Sequence, residues 1–216
     1  MFENIKSEII KFGHFAGLKG LTSGLSGNIS CRQGDNIVIT STGTANGYLG
    51  NEDFSIIDFD GNLVEGSKKA SSEKFLHIEY YNQRPEINSV FHVHPPYLTA
   101  LAASGTALED DILPEIVFHF GKIPLADYAL PGSKELVVNT SKFFKEFDVV
   151  LMANHGVIVA GKNIKDAYLK LELCESYAKT LTFAKLFGGA KILSQENVKE
   201  IYTLKEGINS GNNIRK

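Results

Sequence analysis

The 216 residues carry 22 Lys and Arg against 25 Asp and Glu, a formal charge of −3, and 43% of them are hydrophobic. A chain of that size and composition suits a single domain, 1–216, with a sizeable core, and it lacks the basic excess of a nucleic-acid binder. Its two cysteines, Cys31 and Cys174, form no C-x-x-C pair, which excludes a thiolate zinc site, fits a reducing cytoplasm and makes each a small core residue.

The opening segment has no signal-peptide core, and no stretch approaches the roughly 20 apolar residues of a membrane span. A cytoplasmic protein without a membrane partner is expected. Ile5, Ile9, Phe12 and Ala16 recur at helical spacing and predict an amphipathic helix. "NISCR" and "NIVITS" read as a hairpin around "QGDN", and "FSIIDFDGNLVEG" as a second one turning at Asp60-Gly61-Asn62. "SSEKFLHIEYYNQRP" predicts a helix with a serine N-cap, Glu73 in its first turn and apolar positions at Phe75, Leu76 and Ile78 to Tyr80. "INSVFHVH" is β-branched and alternating, hence a strand, and "PPYLTALAAS" follows as a helix with proline in its first turn. "PGSKELVVNTSKFFKEF" predicts a helix, "DVVLMAN" a buried strand and "HGVIVAGK" a turn and return strand. A long helix stops at Gly188-Gly189, a shorter one follows from "SQENVKE", and the polar tail from Asn209 is expected to be mobile unless a neighbouring subunit orders it. The sum is a mixed sheet with helices on both faces.

His92 and His94 point to the same face of their strand, roughly 6–7 Å apart at the backbone, so their imidazoles can converge on one ion. Neutral imidazole suits zinc and related divalent metals, and a catalytic site needs a third ligand and an open position. His155 is a candidate because it too ends a buried-looking strand before a turn. A chain with six histidines also produces an H-x-H pair at random, so a merely packed pair stays an alternative reading. His14, His77 and His119 lack this setting and are left out of the site, although His77 follows Glu73 by four residues on one helix.

"SGN" at 26–28, "STG" at 41–43 and "SSE" at 71–73 each offer hydroxyls or free backbone N–H groups. Together they could hold a phosphate without lysine; separately they are ordinary turn and cap vocabulary. A carboxylate at 73 is favoured by the helix dipole whatever else it does.

Taken together and in order, "SGNIS", "STG", "SKKASSE", "FHVHPPY" and "LMANHGVIVAG" resemble the class II aldolase/adducin family over nearly the whole chain. The resemblance implies an α/β fold, a three-layer α/β/α sandwich around a mixed, largely antiparallel sheet. It implies one Zn2+ or other divalent ion per subunit on His92, His94 and His155, and a homotetramer with active sites between subunits. Glu73 matches the family's acid/base carboxylate, and the phosphate pocket would comprise Gly27, Asn28, Thr42, Gly43, Ser71 and Ser72. Glutamate rather than aspartate at 73 favours the aldolase branch over the 4-epimerases. Where the family's fuculose-phosphate aldolases carry a tyrosine from a neighbouring subunit, the nearest residue here is Glu115, an acid/base candidate or a helix cap. The implied activity is zinc-dependent cleavage of a ketose 1-phosphate, such as L-fuculose 1-phosphate, to dihydroxyacetone phosphate and an aldehyde through an enediolate. Alternatives are a related dehydratase of the methylthioribulose-phosphate type, a decarboxylase or a 4-epimerase. A non-catalytic adducin-like interaction domain would be expected to lack ligands that this chain retains.

Overall fold

A computed structural model describes residues 2–209 of the chain. The segment that follows, 210–216, lies outside the described residues, and with it the expected mobility of the tail.

The first helix, α1 (Glu3–Leu18), buries Ile9, Phe12 and Ala16 on one face, as their spacing predicts. Gly13 and Gly17 bring this helix into main-chain contact with the short turn Asn46–Tyr48. A Cβ on Gly13 would strike the Asn46 carbonyl, and one on Gly17 would stand 2.8 Å from the Gly47 Cα. Next come β1 (Asn28–Gln33) and β2 (Asn36–Thr40), joined by a two-residue turn in which Gly34 takes φ +58°. The second hairpin, β3 (Phe54–Ile57) and β4 (Leu63–Glu65), is turned by the Asp58 carboxylate, which accepts from the backbone N–H of Asp60 and Asn62.

After α2 (Lys74–Gln83), β5 (Ser89–Val93) and α3 (Pro96–Ala103), a six-residue helix α4 (Pro114–His119) and a two-residue strand β6 (Leu125–Ala126) intervene. Then follow α5 (Lys134–Ser141), β7 (Val149–Met152), β8 (Gly156–Gly161), α6 (Ile164–Leu186) and α7 (Gln195–Asn209). Gly188 and Gly189, at φ +99° and +110°, stop α6 where the sequence predicts.

The strands form one eight-stranded sheet in the order β4-β3-β2-β1-β5-β8-β7-β6, antiparallel except for β6 beside β7. The expected mixed, largely antiparallel sheet is therefore present. Alternating side chains feed two cores. Phe91 and Val93 of β5 join Val157 and Val159 of β8 beneath α1, α3 and α6, whereas Val90 and Ile158 pack under α2 and α5. Cys31 and Cys174 are buried free thiols in the first of these cores.

The serine N-cap expected for α2 is not there. Glu73 itself occupies the cap position at φ −100°, because the Ser71 hydroxyl is turned back to accept from the Glu73 N–H at 3.2 Å. Phe75, read as one of that helix's apolar positions, is 47% exposed, since the buried face runs through Leu76, His77, Tyr80 and Tyr81 instead.

Candidate active site

The three histidines reach one point for separate reasons of local structure. On β5, His92 shares the α2-facing side with Val90 and lies opposite Asn28 of β1 and Ile158 of β8. Pro95 and Pro96 end the strand, so His94 sits one residue past it, just ahead of α3. The N-terminal N–H groups of Tyr97 and Leu98 in α3 are satisfied by the Glu175 carboxylate at 2.9 and 2.8 Å. His155 occupies the tight β7–β8 turn, where Asn154 adopts φ +54°. Two glycines permit this convergence. A Cβ on Gly27 would strike the His92 carbonyl, and one on Gly156 would strike the His94 ring.

The ring centroids of His92, His94 and His155 form a triangle with sides of 4.9, 4.8 and 5.0 Å. One ligand atom from each lies within 4.8 Å of the others, so the three could hold a metal ion. The Nε2 atoms of His92 and His94 are 3.3 Å apart, which matches the roughly 3.3 Å between two nitrogens bound 2.0–2.1 Å from a tetrahedral zinc. His92 donates from Nδ1 to the Val157 carbonyl at 3.1 Å, which turns its Nε2 toward Glu73 and His94. Burial first, then the neighbouring His92, lowers His94 and His155 to about 4, so both imidazoles are neutral at pH 7. Two buried atoms here, Glu73 Oε1 and His155 Nδ1, have no hydrogen-bond partner. A carboxylate oxygen beside three converging ring nitrogens is a donor set that suits a divalent cation.

Glu73 makes no cap bond to its own helix and turns inward instead. Its Oε2 is 3.0 Å from His92 Nε2 and accepts from Asn28 Nδ2 at 3.3 Å, while its Oε1 is 3.5 Å from His155 Nε2. Burial opposes ionisation of this carboxyl, but His92 beside it, helped by His155 and Asn28, brings it down to about 2. Glu73 is therefore an anion at neutral pH, able to take a proton.

The loops expected to hold phosphate flank this carboxylate. Ser41 bridges to Ala70, the Thr42 N–H donates to the Lys69 carbonyl at 2.8 Å, and its hydroxyl donates to the Ala70 carbonyl at 3.0 Å. Thr42 and Gly43 are thereby set alongside Ser71 and Ser72. Gly43, at φ +79°, faces open space, and Ser72 is exposed. Asn28 is different: its side chain is buried, with the amide shared between Glu73 and His77.

That partnership is what sequence reasoning missed. His77, left out of the site on sequence grounds, is fully buried and touches Asn28 and Ser30. Its i+4 spacing from Glu73 was visible in the chain, but the link runs through Asn28 on β1, which no local pattern reveals. His14 and His119 stay outside the cluster. Glu115 lies exposed on α4, which packs through Ile116 on the α1/α3/α6 side, across the sheet from Glu73. The chain does not bring Glu115 to its own histidine cluster.

Residues 7–182 match the model of the class II aldolase and adducin N-terminal domain family. The chain belongs to that family. It is 38% identical over 156 residues to an L-fuculose phosphate aldolase of Methanocaldococcus jannaschii, covering 72% of this chain and 83% of the relative. It is 33% identical over 202 residues to a 3-oxo-tetronate 4-phosphate decarboxylase of Haemophilus influenzae, covering 91% and 95%. A solved L-fuculose 1-phosphate aldolase superposes with a TM-score of 0.87 at 31% identity, covering 95% of this chain and 96% of that one. The chain is accordingly a lyase of that family. Its matched span takes in every residue of the cluster from Gly27 to His155 and leaves α7 outside. Among the described residues no helix is long and apolar enough to cross a membrane.

Proposed function

We propose that the enzyme is a zinc-dependent aldehyde-lyase that cleaves a ketose 1-phosphate, such as L-fuculose 1-phosphate, to dihydroxyacetone phosphate and an aldehyde. The observation that carries this reading is the Glu73 carboxylate, free of any capping role and aimed with an unpaired oxygen at the histidine cluster. An ion on His92, His94 and His155 would supply Lewis acidity to the sugar oxygens and favour negative charge on them as the carbon–carbon bond opens. In the cleavage direction the ionised Glu73 takes up the proton lost by the substrate hydroxyl as the carbon–carbon bond opens to aldehyde and enediolate, and returns it to the enediolate carbon; condensation runs the same transfer in reverse. Gly27, Asn28, Thr42, Gly43, Ser71 and Ser72 seat the phosphate, with exposed Gly43 and Ser72 the members open to it and the Thr42 hydrogen bonds holding the two segments together. Glu115, exposed on α4, serves the site of a neighbouring copy in a homotetramer of single-domain cytoplasmic subunits.

A panel of ketose 1-phosphates assayed with and without chelator tests this. Turnover that ends on chelation and returns with zinc is expected; activity indifferent to metal, or none on any phosphosugar, contradicts it. The Glu73→Gln variant should bind metal normally and lose most of its turnover, about 100-fold or more, and undiminished activity would remove Glu73 from the mechanism. The 33% identity to a decarboxylase over 91% of the chain favours a second reading, in which the same site releases carbon dioxide from a 3-oxo acid phosphate. Assay of the released one-carbon product separates the two.

A further inference from the structure

Behind Glu73 stands a file of four buried side chains, of which only Asn28, at its near end, has a part in the proposed reaction. Asn28, Ser30, His77 and Tyr81 are 4%, 0%, 0% and 1% exposed. Asn28 Nδ2 donates to Glu73 Oε2 at 3.3 Å, and His77 Nε2 lies 2.5 Å from Asn28 Oδ1. Ser30 Oγ is 2.7 Å from His77 Nδ1, and the Tyr81 hydroxyl is 2.6 Å from Ser30 Oγ. The elements that hold them are distinct: β1 supplies Asn28 and Ser30, and α2 supplies His77 and Tyr81.

The chemistry of these groups gives every link one direction. An ionised carboxylate only accepts, so Asn28 turns its NH2 to Glu73 and its carbonyl to His77. That carbonyl also only accepts, so the imidazole carries its proton on Nε2. A neutral ring then accepts at Nδ1 from the Ser30 hydroxyl, whose oxygen accepts from Tyr81. Burial keeps the ring neutral, lowering His77 to about 3. Were the proton on Nδ1 instead, the Asn28 amide would rotate and set its carbonyl oxygen against the carboxylate.

We infer that His77, backed by Ser30 and Tyr81, is a positioning residue that acts through Asn28 to hold Oε2 of Glu73 against His92 and leave Oε1 facing the reacting atoms. The inference rests on the reading of Glu73 as the proton carrier. It makes the donor sense of a buried file, and not bulk alone, the reason for a histidine at 77.

Two measurements test it. In wild-type protein labelled with 15N-histidine, the two-bond proton–nitrogen spectrum should show His77 as the neutral Nε2–H tautomer at pH 7; the Nδ1–H tautomer or a doubly protonated ring overturns the inference. In steady-state assays of the zinc-loaded enzyme, His77→Leu should lower kcat about 10- to 100-fold, with KM within about threefold and metal content unchanged. His77→Gln, whose amide can place an N–H where Nε2 stood, should restore most of that loss. In a Glu73→Gln background, His77→Leu should cost nothing further. Wild-type kcat in His77→Leu, equal losses for Leu and Gln, or a full additional loss beside Glu73→Gln each overturns it. If His77→Leu does not fold, Tyr81→Phe removes only the last hydroxyl and should lower kcat about threefold or more; unchanged turnover would count against the file. Should Glu73→Gln itself prove fully active, the proton-carrier reading fails, and the tautomer still decides whether the file is built as described.

Discussion

At position 156 even a methyl group has nowhere to go. A Cβ there would run into the His94 ring and stand 2.7 Å from the Val93 carbonyl, so glycine is what lets the β7–β8 turn pass under one metal-ligand candidate while presenting another at His155. Gly156→Ala should therefore leave the sheet intact but push His94 aside and weaken metal binding by about 10-fold or more, measured by competition with a chromophoric chelator. Unaltered affinity would mean that His94 is not held where the structure puts it. At this scale the sequence was informative about residue types and blind to their partners. The H-x-H pair and the strand-ending His155 announced a cluster because alternation and turn position are local properties. His77 was passed over because its meaning depends on Asn28, 49 residues away, brought beside it where α2 packs over β1.

Among elements, the clearest dependence is where α2, β7 and α6 meet. Asp148, just ahead of β7, accepts from Arg84 Nη1 at 2.5 Å at the end of α2 and from Lys170 Nζ at 2.8 Å on α6, so one carboxylate ties both helical layers to the sheet. Burial works against its charge, but Lys170 and then Arg84 hold the pKa below the ordinary value. Because the folded carboxyl ionises at lower pH than the unfolded one, this tie is fully stabilising above the unfolded pKa of about 4 and is lost as pH falls through the folded value. Asp148→Asn should cost about 1–3 kcal/mol in urea unfolding at pH 7. The difference between the two proteins should shrink steadily below pH 4, and a pH-independent difference would point to packing instead of charge. The major helices and strands were legible from period and punctuation, as with α6 and its two terminal glycines. The short pieces were not. The two residues of β6 carry too little pattern to register, and they pair with β7 only because the chain passes it in parallel. The start of α2 was misread because a serine that bonds a backbone N–H two residues on looks, in sequence, like a helix cap.

For the molecule as a whole, the sheet separates Glu73 from Glu115, one beneath the α2/α5 layer and the other beyond the α1/α3/α6 layer. If Glu115 serves a neighbour's site in the proposed tetramer, each site draws on two chains. Chains bearing Glu73→Gln and chains bearing Glu115→Gln, each poorly active alone, should then recover about a quarter of wild-type activity when co-assembled at random in equal amounts. No recovery on mixing would place both residues in one chain's chemistry or leave Glu115 out of it. The overall architecture was readable because alternating strands, two hairpins and flanking amphipathic helices all pointed to the same layered answer. The separation of the two glutamates across that sheet was not, since nothing local says which face a short helix such as α4 will cover.

The bare contact between α1 and residues 46–47 reaches further than its size suggests. Main chain meets main chain there, with no side-chain rotamers to absorb a shift, so the loop that carries Thr42 and Gly43 is braced by the amino-terminal helix. Any event that frays the last turns of that helix would slacken the proposed phosphate loop while the imidazole cluster, anchored in the middle of the sheet, stayed assembled.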